Sequence, residues 1–285
     1  MDPTRTDART AAGGGSGPRT GSIDVDGLEI YHEIHGDGPP LVLLHGAMGT
    51  IDVCFADLLP GLAEHHMVIA VELQGHGRTP DIDRPLTYPR LAADVAGLMA
   101  ALGIAAADLV GYSMGGAVGL QLALDRPELV RRVIWYGGIN FDPAGLHPEM
   151  LADLRTVTVE QVAGTPWHDA YLAVAPDPAG WPRLVARIAE FDRTYTGWDP
   201  ARLRGISVPT LLIAGDADLS RPEHVVEMFR LFGGGVLGDL HPLPAARLGI
   251  VPGASHVGVL AQTAVLQAMI LPFLAADPPA PSETG

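Results

Sequence analysis

The sequence predicts an α/β fold on a mostly parallel central sheet flanked by helices. Three observations carry that reading: short runs apolar on both faces that stop at glycine, segments of helical period between them, and a Gly-x-Ser-x-Gly motif at the end of one run. Ser22 to Ile34 alternates around Asp26-Gly27, a dipeptide suited to a tight hairpin turn, so the fold opens with two antiparallel strands. Pro40 to Leu44 is the next strand and runs into His45-Gly46-Ala47-Met48-Gly49. Met67 to Val71 follows and runs into Glu72-Leu73-Gln74-Gly75-His76-Gly77. Leu91, Val95, Leu98, Met99 and Leu102 share one helical face before the strand that ends in Gly111-Tyr112-Ser113-Met114-Gly115. Val130 to Tyr136 is the sixth strand, Pro209 to Ala214 the seventh, and Arg247 to Val251 a short last one. Strands alternating with helices imply right-handed crossovers covering both faces, with any ligand over the carboxyl ends of the strands.

Roughly seventy residues separate the sixth and seventh strands, too long for an unstructured loop in a compact domain. Met150 to Val162 and Leu184 to Tyr195 read as helices, with Trp167, Trp181 and Trp198 among and around them. Residues 139–205 are therefore expected to be a helical lid inserted after the sixth strand, between core segments 22–138 and 206–276. Residues 1–21 and 277–285 read as disordered tails, and Val257 to Ala276 as a buried helix. His65 and His66, which follow a helix, read as solvated, and Ser220 with Pro222 and Glu223 as a helix start that steadies the loop before it.

An apolar share of 47% is that of a globular protein, and a net charge of −15 argues against nucleic acid or anionic membrane as a main partner. All 18 basic residues are arginine. Without lysine there is no Schiff-base or pyridoxal-phosphate enzyme and no phosphate-loop nucleotidase. The lone Cys54 forms no internal disulfide, no His-x-x-x-His or cysteine cluster suggests a metal site, and no cofactor is expected. No signal-peptide pattern opens the chain, so a cytoplasmic location is expected.

A serine hydroxyl needs a base within hydrogen-bond reach, itself oriented by a carboxylate. Ser113 stands at a strand-to-helix turn. The seventh strand runs into Gly215-Asp216-Ala217-Asp218 and the last into Pro252-Gly253-Ala254-Ser255-His256. The chain order is thus Ser, Asp, His, each at the end of a predicted strand, with Asp216 and Asp218 both available as the acid.

On these motifs, with the His45-Gly46 and Gly75-His76-Gly77 turns, the chain from about residue 22 to 275 resembles the α/β-hydrolases. Serine at the elbow departs from the epoxide hydrolase and haloalkane dehalogenase branches, which carry aspartate there. The resemblance implies Ser113 as nucleophile, Asp218 as orienting acid and His256 as base, with the backbone N–H groups of Ala47 and Met114 as oxyanion donors. Asp216 then reads as a turn residue, and Asp142 is a further candidate because some members move the acid there. Met48, His45 and Trp167 are candidates for the substrate pocket; His45 and His76 read as structural hydrogen bonders rather than bases. The expected activity is hydrolysis of a small or medium, partly apolar ester, lactone or thioester. Perhydrolysis, carbon–carbon bond hydrolysis, acyl transfer and ligand reception without catalysis are the alternatives on the same scaffold.

Overall fold

The computed structural model describes residues 17–276. Its single sheet contains β1 (Arg19–Val25), β2 (Leu28–His35), β3 (Pro40–Leu44), β4 (Met67–Val71), β5 (Ala107–Tyr112), β6 (Val130–Tyr136), β7 (Thr210–Ala217) and β8 (Ala246–Ser255), in the order β1-β2-β4-β3-β5-β6-β7-β8. The first two pairings, β1 with β2 and β2 with β4, are antiparallel; all others are parallel. Asp26 (φ 51) and Gly27 (φ 86) make the hairpin turn with both residues at positive φ, which matches the right-handed twist of the strands it joins.

Alternation along β3 explains the layers. Val42 and Leu44 pack with Leu91, Val95 and Leu98 of the helix Tyr88–Ala101, while Leu41 and Leu43 pack on the other face with Phe55, Leu62, Leu266 and Ile270. Every residue of β5 is buried, as expected of a strand covered on both sides. Contact between the helix Met114–Asp125 and the sheet is close enough to require glycine. A Cβ on Gly115 would lie 2.1 Å from the Leu44 carbonyl oxygen and 2.6 Å from that of His45, both backbone atoms that cannot swing away. Gly115→Ala is therefore expected to destabilise the fold by about 3 kcal/mol or more, read as a lower urea midpoint or loss of soluble protein. An unchanged midpoint would show that helix and strand separate more readily than this packing implies.

Between β6 and β7 lie the helices Pro148–Thr156, Val159–Val162, Pro166–Val174, Trp181–Thr194 and Pro200–Arg204. Asp81, after β4, ties this insertion to the sheet through Arg183 Nε (3.1 Å) and Arg187 Nε (3.3 Å). Four sequence expectations are corrected. Residues 19–21 are strand rather than tail, because Arg19 to Gly21 pair with Ile34 to His32 through backbone groups that need no apolar side chains. The stretch Met150 to Val162 is two helices, since Thr158 forms a capping box with Gln161 and restarts the chain. His66 is buried rather than solvated. Ser220 caps nothing: its backbone bridges to Leu146 of the insertion, its hydroxyl is buried without a partner among the described residues, and Arg221 precedes the helix Pro222–Leu231. Residues 1–16 and 277–285, read as tails, lie outside the described residues. Among the described residues no helix is long and apolar enough to cross a membrane.

Candidate active site

Ser113 sits between the end of β5 and the first residue of the helix Met114–Asp125, at φ 52 and ψ −120. Its backbone is held on both sides: its N–H donates to the Tyr136 carbonyl (3.0 Å), and its own carbonyl accepts from Gly116 N (3.0 Å) and Ala117 N (3.2 Å). With the main chain fixed in this way, the side chain lines a cavity of about 340 Å³.

Asp218 follows β7 and His256 follows β8. His256 Nδ1–H donates to Asp218 Oδ1 at 3.0 Å. The Asp218 carboxylate also accepts from Gly138 N (3.2 Å to each oxygen) and Leu219 N (2.7 Å). Burial alone would raise the pKa of this acid, but the His256 hydrogen bond and charge, with the two main-chain N–H groups, hold it below the usual carboxylate range. The His256 ring stacks on Tyr112 with centroids 5.0 Å apart, and the Tyr112 hydroxyl donates to the His256 carbonyl (3.0 Å). Ser113 and the imidazole flank one point: a Cβ on Gly138 would lie 3.1 Å from Ser113 Oγ and 2.9 Å from His256 Cε1. The other two acids go elsewhere. Asp216 accepts from Gly253 N (2.8 Å), and Asp142 caps a helical turn through Ala144 N (2.7 Å).

Ala47, Met48, Met114 and Trp167 line the same cavity; His45 does not. His45 lies beneath it, fully buried, its Nε2 accepting from Leu73 N (3.0 Å), so that Nδ1–H donates to the Gly46 carbonyl (2.8 Å). His76 repeats the pattern: Nε2 accepts from Met48 N (3.0 Å) and Nδ1–H donates to the Gln74 carbonyl (2.9 Å). Burial pushes the two imidazoles down to about 3 and about 4, so both stay neutral at pH 7 with both nitrogens occupied. Their role on this geometry is to hold the loop of Ala47 and Met48, in which Met48 takes φ 58.

Among the cavity residues that the sequence reading did not point to is one acid. Asp192, on the insertion helix Trp181–Thr194, lines the cavity with Phe191 and Tyr195. Burial pushes its carboxyl up to about 7, against the opposing pull of Arg155 and Arg193. An acid that holds its proton more tightly folded than unfolded withdraws stability as pH rises from about 4 to about 7, and no more above that. Asp192→Asn is accordingly expected to raise Tm at pH 8 and leave it unchanged at pH 4. Equal shifts at both pH values would contradict the assignment. Among the described residues no group of three or more His, Cys, Asp and Glu is placed to hold a metal ion.

A mostly parallel eight-stranded sheet with a half-buried serine at a strand-to-helix turn and an Asp–His pair at later strand ends defines the architecture of an α/β-hydrolase. The sequence profile of the alpha/beta hydrolase fold matches residues 39–167. The magnesium-chelatase 30 kDa subunit of Rhodobacter capsulatus is 30% identical over 226 residues, covering 66% of this chain and 74% of that protein. Pyrrolizixenacetamide deacetylase of Xenorhabdus hominickii is 35% identical over 115 residues, or 40% of this chain, and the match spans only 43% of that relative. In structure, 2-hydroxy-6-oxo-6-phenylhexa-2,4-dienoate hydrolase from Rhodococcus sp. strain RHA1 superposes with a TM-score of 0.72 at 21% identity, over 91% of this chain and 99% of that one. The chain belongs to the alpha/beta hydrolase fold family.

Proposed function

We propose that this chain is a serine hydrolase that cleaves a carboxylic ester, lactone or thioester of a small or medium, partly apolar substrate through an acyl-enzyme on Ser113. The observation that supports the reading most is the His256–Asp218 hydrogen bond beside a serine held at φ 52 on the wall of one cavity. With Nδ1–H turned to Asp218, His256 offers Nε2 as the base. It takes the Ser113 proton as Oγ attacks the substrate carbonyl, and Asp218 stabilises the imidazolium. The N–H groups of Ala47 and Met114 hold the oxyanion; losing one such donor typically costs about 3 to 4 kcal/mol of transition-state stabilisation. His256 then protonates the leaving oxygen or sulfur. A water deprotonated by the same nitrogen attacks the acyl-enzyme, and the acid departs with Ser113 regenerated. Residues 139–205 act as a lid that keeps bulk water from the acyl-enzyme. The deacetylase relative agrees with acyl transfer to water. The substrate is a dissolved small molecule, and the enzyme works in the cytoplasm without a cofactor.

The test is intact mass after exposure to a small fluorophosphonate, in which Oγ displaces fluoride. One adduct is expected on the wild type and none on Ser113→Ala or His256→Ala. A folded wild type that takes up neither this reagent nor a smaller one would overturn the reading and favour ligand reception. Competition between water, peroxide and an alcohol for the acyl group then separates hydrolysis from perhydrolysis and acyl transfer.

A further inference from the structure

The cavity is lined mainly by apolar and aromatic side chains, yet one wall carries an acid for which the proposed chemistry has no use. Ser113 and His256 stand on the wall supplied by strand ends; Asp192 and Tyr195 stand on the wall supplied by the insertion. Among the described residues neither neighbouring arginine forms an ion pair with the Asp192 carboxylate. Arg155 Nε donates to the Asp192 main-chain carbonyl (3.4 Å), and Arg193 Nη1 to the carbonyl of Arg155 (3.1 Å). Among the described residues the Tyr195 hydroxyl is buried with no hydrogen-bond partner. The Tyr88 ring meets Phe191 edge-on at 4.8 Å and Tyr195 edge-on at 5.4 Å, and burial, then the Asp192 charge, push its hydroxyl up.

We propose that Asp192 is a specificity-determining residue that receives a protonated primary amine on the substrate, so that the preferred substrate is an acyl compound bearing an ammonium group. The inference rests on the hydrolase reading for the scissile end of that molecule. An ammonium has three N–H donors and no acceptor, which suits a carboxylate on the cavity wall that has no side-chain ion pair among the described residues. Aromatic faces around it favour a cation over a neutral polar group. Burial raises this carboxyl against the pull of two arginines, and an ammonium entering the cavity would favour its charged form.

Para-nitrophenyl esters of ω-aminoalkanoic acids, compared with alkanoic esters of equal length, test this. The wild type is expected to prefer the amino ester in kcat/KM by about tenfold or more at some chain length, the gain of one charge-assisted hydrogen bond. In Asp192→Asn that ratio falls to near one. A wild type with no preference at any length, or an Asn variant that retains it, overturns the proposal. Calorimetric binding of hexylammonium against hexanol gives a readout without turnover. Hexylammonium binding to wild type but not to Asp192→Asn supports the site even if no ester is cleaved and Ser113 takes no fluorophosphonate, an outcome that would sink the hydrolase reading alone. Equal binding of both ligands, or of hexylammonium to both proteins, overturns it.

Discussion

Ser113→Gly is expected to abolish hydrolysis and, relative to Ser113→Ala, to yield the more stable protein. Both variants remove the hydroxyl, and loss of a serine nucleophile lowers kcat by about four orders of magnitude or more. They differ at the backbone. The residue is held at φ 52 and ψ −120 by hydrogen bonds to Tyr136, Gly116 and Ala117, none of which involves its side chain. A Cβ in such a region costs roughly 1 to 3 kcal/mol, and alanine retains it. Glycine relieves the strain but gives the unfolded chain more freedom, at a cost of about 0.5 to 1 kcal/mol. The net difference favours glycine by about 1 kcal/mol, readable from urea midpoints of the two inactive variants. Residual kcat near wild type in either variant would remove Ser113 from the chemistry. An alanine variant as stable as the glycine one would mean that the turn is not strained.

This strain is the physical content of the Gly-x-Ser-x-Gly pattern, and it explains why the centre of the fold was legible. Strands buried on both faces leave unbroken apolar runs, and the close approach of helix to sheet at Gly115 leaves a glycine. The insertion was less legible because its helices start at caps rather than at changes of period: Thr158 and Thr165 each accept from a main-chain N–H and restart a helix that side-chain hydrophobicity alone runs through or misses. His66 misled because it stands just after a helix end, while its burial comes from long-range packing. Gly36, on the loop between β2 and β3, approaches its backbone so closely that a Cβ there would lie 2.7 Å from the His66 carbonyl oxygen.

Within the site, chain order pointed to Ser113, His256 and one of Asp216 and Asp218, the resemblance to Asp218; Ser113 and His256 line one cavity and Asp218 is hydrogen-bonded to His256, since parallel strands deliver their carboxyl ends to one edge. His45 was expected nearer the cavity than it lies; its ring is held below by Leu73 and Gly46. Asp192 had no signal because an acid on an amphipathic helix reads as solvated until the neighbouring elements are in place.

The second large effect separates the two acids of the Gly-Asp-Ala-Asp turn. Asp218→Asn is expected to lower kcat by about 10⁴-fold, whereas Asp216→Asn, which alters only an exposed acceptor for Gly253 N, changes it by less than about tenfold. The Asp218 carboxylate accepts from three donors: Gly138 N, Leu219 N and His256 Nδ1. An amide has one acceptor oxygen and presents its NH2 to the remaining donors, so it either leaves a main-chain N–H unpaired or turns the imidazole to the wrong tautomer. One unpaired buried donor costs about 1 to 3 kcal/mol of stability. The pH dependence follows from the direction of the shift. An acid whose folded value lies below its unfolded one stabilises the fold above about pH 4 and loses that contribution as pH falls through the folded value. The stability gap between wild type and Asp218→Asn should therefore be widest near neutrality and narrow on acidification below about pH 4. If Asp216→Asn instead proved the inactive variant, or if the gap stayed constant to low pH, the carboxylate beside His256 would not be the one that orients it.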